Sequence, residues 1–280
     1  MSGRLFICPT PIGNMEDMSL RMLRALSSAS IIAAEDKRVT MKLLNAFGVK
    51  APLVSYHQHN KNEMGPILIK KMLEGFTITL VTDAGTPCIS DPGEDLVKMA
   101  IAEDIEIIPI AGPCACITAL TVSGLSIGRF AFEGFLPRGN KFRKPILRNL
   151  QTETRSIVFY EAPHRLFDTL YDLHEALGDR RIAICRELTK KHETIYHFTI
   201  SEALKHFREE EPRGEFVLIV EGADPKKVKE GKQALWDFMS LREHMNIYIS
   251  RGYEKKEAMK QVAIDRNLPK RSVYMELNRK

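Results

Sequence analysis

The segment from Ile78 to Gly93 constrains what this chain can fold into more than any other. Ile78, Leu80 and Val81 read as a short buried strand, because a brief apolar run bounded by turn residues suits a strand covered on both faces. The run ends in Thr82-Asp83-Ala84-Gly85-Thr86-Pro87, and Asp91-Pro92-Gly93 then opens a helical pattern from Glu94 to Ala100. Proline fits a first helical turn, where its missing N–H has no partner to lose. Ala84 and Gly85 carry almost no side chain, so a ligand can come close to the backbone. A strand, a bare turn and a helix in this order put an open turn at the carboxyl end of a strand, where ligands bind in open α/β sheets.

The rest of the first half repeats this alternation. Leu5–Cys8, Ile31–Ala34, Val54–Tyr56 and Glu106–Ile110 read as strands, with helical patterns after Ser19, from Thr40 to Phe47, from Asn62 to Glu74 and from Cys114 to Val122. Such alternation predicts a sheet with helices on both faces. After Gly124 a second α/β layer is expected, with some antiparallel content: strands at Phe130–Phe135, Ser156–Tyr160, Ile182–Cys185, Thr194–Thr199 and Phe216–Val220, and a basic amphipathic helix from Lys141 to Leu150. Residues 223–232 are polar and Lys-rich and read as a linker. Three helical patterns follow. Leu241, Met245, Tyr248 and Ile249 form the first stripe, and Ala258, Val262 and Ala263 the second. The third, basic helix begins beyond Leu268-Pro269 with Lys270, Arg271 and Arg279. That spacing is compatible with a helix-turn-helix entering a nucleic-acid groove, or with a three-helix packing or dimerisation module. The expected domains are 1–123, 124–223 and 233–280.

Charge separates the tail from the rest. From Asp224 onward 14 Lys+Arg face 8 Asp+Glu, net +6, whereas the preceding 223 residues carry 27 and 28, net −1. The asymmetry fits an anionic partner at that end or a solvated Lys-rich surface. No apolar run is long enough to span a bilayer, and the amino terminus lacks the features of a signal peptide. Five cysteines in apolar or motif contexts read as reduced thiols in the cytoplasm. Cys114-x-Cys116 has no second pair, and His57-x-His59, expected on one strand face, has no evident third ligand, so no metal site is expected. No G-x-G-x-x-G follows the first strand, which argues against a nicotinamide enzyme.

Seven motifs occur in order: Thr10-Pro11-Ile12-Gly13-Asn14, Glu35-Asp36-x-Arg38, Asp83-Ala84-Gly85-Thr86-Pro87 with Ile89-Ser90-Asp91-Pro92-Gly93, Gly134-Phe135-Leu136-Pro137, Tyr160-Glu161-x-Pro163-His164-Arg165, Arg186-Glu187-Leu188-Thr189-Lys190 and Gly214-Glu215-Phe216. Together they resemble the ribosomal RNA small subunit methyltransferase I family, within the tetrapyrrole methylase superfamily. The likeness covers nearly the whole chain. It departs from the family pattern at Lys37 for Thr, Thr82 for Ser, Ala111 for Pro and Arg213 for Lys.

The resemblance implies two α/β domains with S-adenosylmethionine as methyl donor in the cleft between them, a small C-terminal helix-turn-helix, and a homodimer. The implied product is a 2′-O-methylated cytidine in the decoding centre of 16S rRNA, as RNA or as small ribosomal subunit. It also implies cofactor contacts at Pro11, Ala84, Gly85, Thr86, Ile89, Cys114, Ala115, Glu161 and Leu188. Arg38, His164, Arg165 and Lys190 are candidates for orienting RNA, and Asp36 or Asp83 for accepting the ribose proton; ion pairing as scaffold is the alternative role for these charged groups. Two other functions stay open: methylation of a tetrapyrrole or other small molecule, and non-enzymatic nucleic-acid binding by a regulator.

Overall fold

The computed structural model describes residues 3–277. The chain divides into two compact units, Met1–Leu150 with Arg155–Glu221, and Gln151–Thr154 with Gly222–Lys280.

The first unit holds two five-stranded sheets. Strands β1 (Arg4–Ile7), β2 (Ile31–Ala34), β3 (Leu53–Ser55), β4 (Ile78–Val81) and β5 (Glu106–Pro109) form the first, in the order β3-β2-β4-β1-β5. All its pairings are parallel; Leu5 registers with Ile78 and Ile107. The strands are short and apolar because both faces are covered. On one face Ile32, Ala34 and Val81 pack with Met22, Leu26 and Leu44 of helices α1 (Leu20–Ser27) and α2 (Lys37–Ala46). On the other, Ala33, Ile78 and Leu80 pack with Leu68, Met72 and Leu96 of α3 (Lys61–Leu73) and α4 (Gly93–Ala102).

This strand order fixes where a ligand can bind. The chain leaves β1 toward β2 and β3, and leaves β4 in the opposite direction toward β5. A crevice therefore opens between the carboxyl ends of β1 and β4, the topological switch point.

The second sheet contains β6 (Phe130–Phe135), β7 (Ser156–Glu161), β8 (Arg181–Arg186), β9 (Thr194–Thr199) and β10 (Phe216–Val220), ordered β6-β7-β10-β8-β9. Only β6 and β7 are parallel; β10 runs antiparallel to β7 and β8, and β8 to β9. Helices α6 (Asn140–Leu150), α7 (Leu166–Leu177) and α8 (Ile200–Glu209) cover one face through Leu147, Leu150, Leu170, Leu173 and Phe207. The opposite face, with Val158, Ala183, Val217 and Ile219, receives Cys116, Ala119 and Leu120 of α5 (Ala115–Val122) together with Ile12. Helix α5 thus belongs by sequence to the first sheet and packs on the second.

The second unit is helical: α9 (Pro225–Asp237), α10 (Leu241–Ser250), α11 (Lys255–Asp265) and α12 (Lys270–Leu277). The linker expected at 223–232 is instead the start of α9. Asp224 accepts the N–H of Lys226 at 2.8 Å and Pro225 takes the first turn, a cap and proline that start a helix whatever its polarity. Leu241, Met245, Ala258, Val262, Ala263 and Val273 form the small core. Ile249, placed in the first apolar stripe by its spacing, is exposed. Arg279, part of the expected basic helix, lies outside the described residues.

The core of this unit also contains a histidine, His244, with no exposed surface. Its ring stacks on Trp236 at 3.5 Å. Arg266 Nε donates to Nδ1 at 3.2 Å, and Nε2 faces Asp265 at 3.2 Å. With Nδ1 accepting, the neutral ring donates from Nε2 and is satisfied on both sides. Burial first, then the Arg266 charge, hold its pKa below the ordinary 6.5, against the pull of Asp265. The unfolded chain therefore takes up this proton first. The stability contributed by neutral His244 is present above pH 6.5 and is lost as pH falls through the lower folded-state pKa. Trp236 is the only tryptophan, so its fluorescence reports this unit. The expected result is a melting midpoint by Trp emission that drops between pH 7.5 and 5.5, with a shallower drop in His244→Gln. Parallel pH profiles for the two proteins would refute it.

Candidate active site

The loops after β1, β4 and β5 meet at the switch point. Thr10 and Gly85 exchange both backbone hydrogen bonds, at 2.9 and 3.0 Å. Thr10 Oγ1 donates to the Thr82 carbonyl at 3.1 Å, and Thr86 Oγ1 to the Pro113 carbonyl at 2.8 Å. Gly85 needs its lack of a side chain: its φ is +84°, and a Cβ there would lie 3.2 Å from Ile12. Asp91 Oδ1 accepts from the N–H groups of Cys88 and Gly93 at 3.0 and 2.8 Å. It thereby closes a turn in which Cys88 and Ser90 both have positive φ.

The second sheet supplies the opposite wall. Asn14 N–H donates to Thr189 Oγ1 at 3.1 Å, and a Cβ on Gly13 would lie 2.4 Å from Lys190 Cγ. The two loops can approach this closely because Gly13 lacks a side chain. Between the walls lies a cavity of about 590 Å³, within the range of small-molecule sites. Ile12, Ala84, Gly85, Thr86 and Ile89 of the first-sheet loops line it, with Cys114 and Ala115 at the start of α5, and Phe135, Tyr160, Glu161, His164, Leu188 and Lys190 of the second sheet and its loops.

The structure brings most of the sequence-predicted residues together. Asp83, Ala84, Gly85, Thr86, Ile89, Cys114, Ala115, Glu161, His164, Leu188 and Lys190 all line this cavity. Pro11 does not; its neighbour Ile12 reaches the wall instead. Glu161 lines it with its carboxylate turned away. That group is fully buried, accepting from Ala162 N–H at 2.9 Å and from Thr169 Oγ1, and it faces Arg165 at 3.5 Å. Arg165 spends its guanidinium on Glu161 and on the Leu136 carbonyl at 2.6 Å, and is not on the main wall.

The two candidate bases separate. Asp36 caps α2, accepting Arg38 N–H at 2.8 Å, and the exposed Arg38 guanidinium forks onto both of its oxygens. The Arg38 hydrogen bonds hold Asp36 down at about 2, and neither residue lines the cavity. Asp83 does, and burial pushes its carboxyl above the usual carboxylate range against a 2.9 Å hydrogen bond from Asp36 N–H. Burial likewise raises Asp91. Burial alone would lower Lys190, but its bonds to Glu187 and Glu215, at 2.8 and 3.0 Å, outweigh that and raise it.

Other wall residues were not singled out from sequence. Glu35 accepts Thr82 Oγ1 at 2.7 Å. Tyr160, its phenol accepting Cys116 N–H at 3.1 Å, ties α5 to β7, and burial raises its pKa. Both residues stand in quoted motifs at strand ends, which was the available signal. His57 and His59 lie beyond the end of β3, in the loop before α3 rather than on a strand face. Among the described residues no group of three or more His, Cys, Asp or Glu is arranged to hold a metal ion, and no helix is long and apolar enough to cross a membrane.

Comparison with known proteins settles the family. The profile described as Tetrapyrrole (Corrin/Porphyrin) Methylases matches residues 4–204. A Halalkalibacterium halodurans protein named Ribosomal RNA small subunit methyltransferase I is 50% identical over 272 residues, 97% of this chain and 93% of its own length. The chain belongs to the ribosomal RNA small subunit methyltransferase I family. Its Bacillus subtilis relative of the same name is 47% identical over 97% of this chain and 93% of its own. Solved structures share the tetrapyrrole-methylase fold at low identity. Cobalt precorrin-4 methyltransferase has a TM-score of 0.60 at 16% identity, covering 78% of this chain and 94% of its own. Uroporphyrin-III C-methyltransferase from Thermus thermophilus, solved with S-adenosyl homocysteine, has a TM-score of 0.58 at 18%, covering 78% and 97%. Of the departures from the family pattern, Thr82 keeps a hydroxyl in use against Glu35, and Lys37 is exposed at the start of α2.

Proposed function

We propose that this methyltransferase binds S-adenosylmethionine in the cavity between its two sheets and methylates the 2′-hydroxyl of a cytidine in the decoding centre of 16S rRNA. The observation that carries the reading is the cavity itself, a bare turn at the switch point closed by the second sheet. The residues fit such a cofactor: open backbone at Ala84 and Gly85, apolar walls from Ile12, Ile89 and Leu188, and polar backbone at the Cys114–Ala115 helix start. When bound, that cofactor supplies an electrophilic methyl group on a sulfonium. The chain's own task is to hold the ribose hydroxyl in line at near-attack distance and take its proton. Asp83 is the better base by position, and Asp36 acts through it by donating its N–H. Lys190 and His164 lie where ribose or phosphate oxygens would approach; Arg38 and Arg165 stand outside the cavity.

The small-molecule alternative rests on fold likeness at 16–18% identity, whereas the RNA reading rests on relatives at 47–50% over nearly the whole chain. Incubation with labelled cofactor and either small ribosomal subunits or uroporphyrinogen separates the two; label in the tetrapyrrole alone would overturn the RNA reading.

We assign 1–123 and 124–223 to the two halves of the methylase. The third module is best begun at Asp224, the cap of α9, since position 233 falls inside that helix. It is read as an RNA-binding helix-turn-helix, the protein as a homodimer, and its place as the cytoplasm. The +6 charge of the tail supports the RNA role. Lys270 and Arg271 are exposed on α12. Replacing both with alanine is expected to make the log–log salt dependence of subunit binding shallower by about 1.4, at about 0.7 per contact, with cofactor affinity unchanged. An identical slope would reassign the tail to dimerisation or packing.

A further inference from the structure

Helix α6 carries Lys141, Arg143, Lys144 and Arg148 and no acidic residue. Arg143 turns inward, 5% exposed, pairing with Asp172 at 2.7 Å and Thr169 at 2.9 Å. The other three, spaced by three and four residues, share the opposite, exposed face. Among the described residues none of them has an acid within ion-pair distance, in contrast to exposed cations such as Arg4, Lys71, Lys98 and Arg213, which pair with Glu106, Glu74, Glu94 and Glu211. The stripe spans roughly 10 Å at about 1.5 Å per residue.

The chain enters the stripe from the cavity wall. Phe135 is on the cavity wall, and three residues on, Arg138 precedes α6, exposed and also without an ion-pair partner among the described residues. Arg138 lines a second cavity of about 500 Å³ together with His164, which also lines the first, so the two cavities share that side chain. Of the acids in the second cavity, Asp172 is neutralised by Arg143. Asp168 stands in the first turn of α7, where the helix terminus offsets its charge. Three exposed rings accompany the cations: Phe142 at 66%, Tyr171 at 54% and Phe135 at 53%. Cations interleaved with exposed rings match a single-stranded nucleic acid, whose phosphates want charge and whose bases stack on aromatic faces.

We infer that Arg138, Lys141, Lys144 and Arg148 hold successive phosphates of the RNA strand on one side of the nucleotide entering the cavity, with Phe142 or Tyr171 stacking a neighbouring base. This rests on the RNA reading above and adds to it a substrate track on the helix that covers the second sheet.

The test uses full-length protein and small ribosomal subunits from cells lacking the enzyme. Lys144→Ala with Arg148→Ala changes only exposed helix positions to a good helix former. Subunit binding by this variant is expected to lose about 1.4 from its log–log salt slope, and the KM for subunits to rise about tenfold or more, while kcat and cofactor affinity stay at wild-type values. Arg138→Ala is expected to lose about 0.7 of slope, and Phe142→Ala to weaken binding with no change in slope. Wild-type slope and KM in both charge variants, alongside normal methylation by the wild type, overturn the track alone. Absence of subunit methylation by the wild type overturns the RNA reading and the track with it.

Discussion

Gly85→Val is expected to abolish S-adenosylmethionine binding, lowering affinity by about a hundredfold or more, without unfolding the protein. The backbone at Gly85 has φ +84°, and its Cβ position points toward Ile12 and the Pro113 carbonyl, at 3.2 and 3.6 Å, in the cavity's lining turn. A β-branched residue there meets a backbone conformation that costs about 1–3 kcal/mol and puts two methyl groups where the cofactor is expected. Gly85→Ala separates the two effects, since it carries the backbone strain with far less bulk. The expected order of affinity is wild type, then Ala, then Val, measured by calorimetry, with both variants unfolding in one cooperative transition. Undiminished affinity in Gly85→Val would mean that the cofactor lies elsewhere.

Asp83→Asn is expected to lower single-turnover methylation about a hundred- to ten-thousandfold, the usual contribution of a general base, with cofactor and subunit affinity nearly unchanged. A base must be ionised to accept a proton. Because burial raises the Asp83 pKa above its ordinary 3.8, the wild-type rate should fall on acidification through that raised value, and this limb should vanish in the Asn variant. Asp36→Asn should behave differently. Its carboxylate is held by Arg38 and caps α2, while the group it offers Asp83 is a backbone N–H that the substitution keeps. Its effect on rate should be much smaller and should come with a loss of stability. Near wild-type rates in Asp83→Asn would leave positioning, with water taking the proton, as the better account.

The strands, the bare turn and the approximate place of the candidate cavity were legible because each depends on local sequence. Val81-Thr82-Asp83-Ala84-Gly85 states a buried strand and an open turn within five residues. The antiparallel share of the second sheet was legible only as a tendency, since the pairing of β10 between β7 and β8 joins segments far apart in the chain. Side-chain direction was less legible still. Asp36 and Asp83 look equivalent at strand ends, yet one turns to an exposed arginine and the other to the cavity. Glu161 occupies a motif position on the wall, but whether its carboxylate faced the cavity or Thr169 was decided by α7, eight residues later. The polar stretch at 223–232 looked like a linker because composition outweighed the Asp224-Pro225 cap that starts α9.

The proposed activity of this chain is methylation of one ribose in small-subunit RNA. Mass mapping of 16S rRNA from cells lacking the protein, beside the same cells expressing it, tests that most directly. One cytidine in the decoding centre is expected to lack a ribose methyl group in the first sample, to carry it in the second, and to stay unmethylated when the Gly85→Val protein is expressed instead. Identical maps with and without the protein would contradict it.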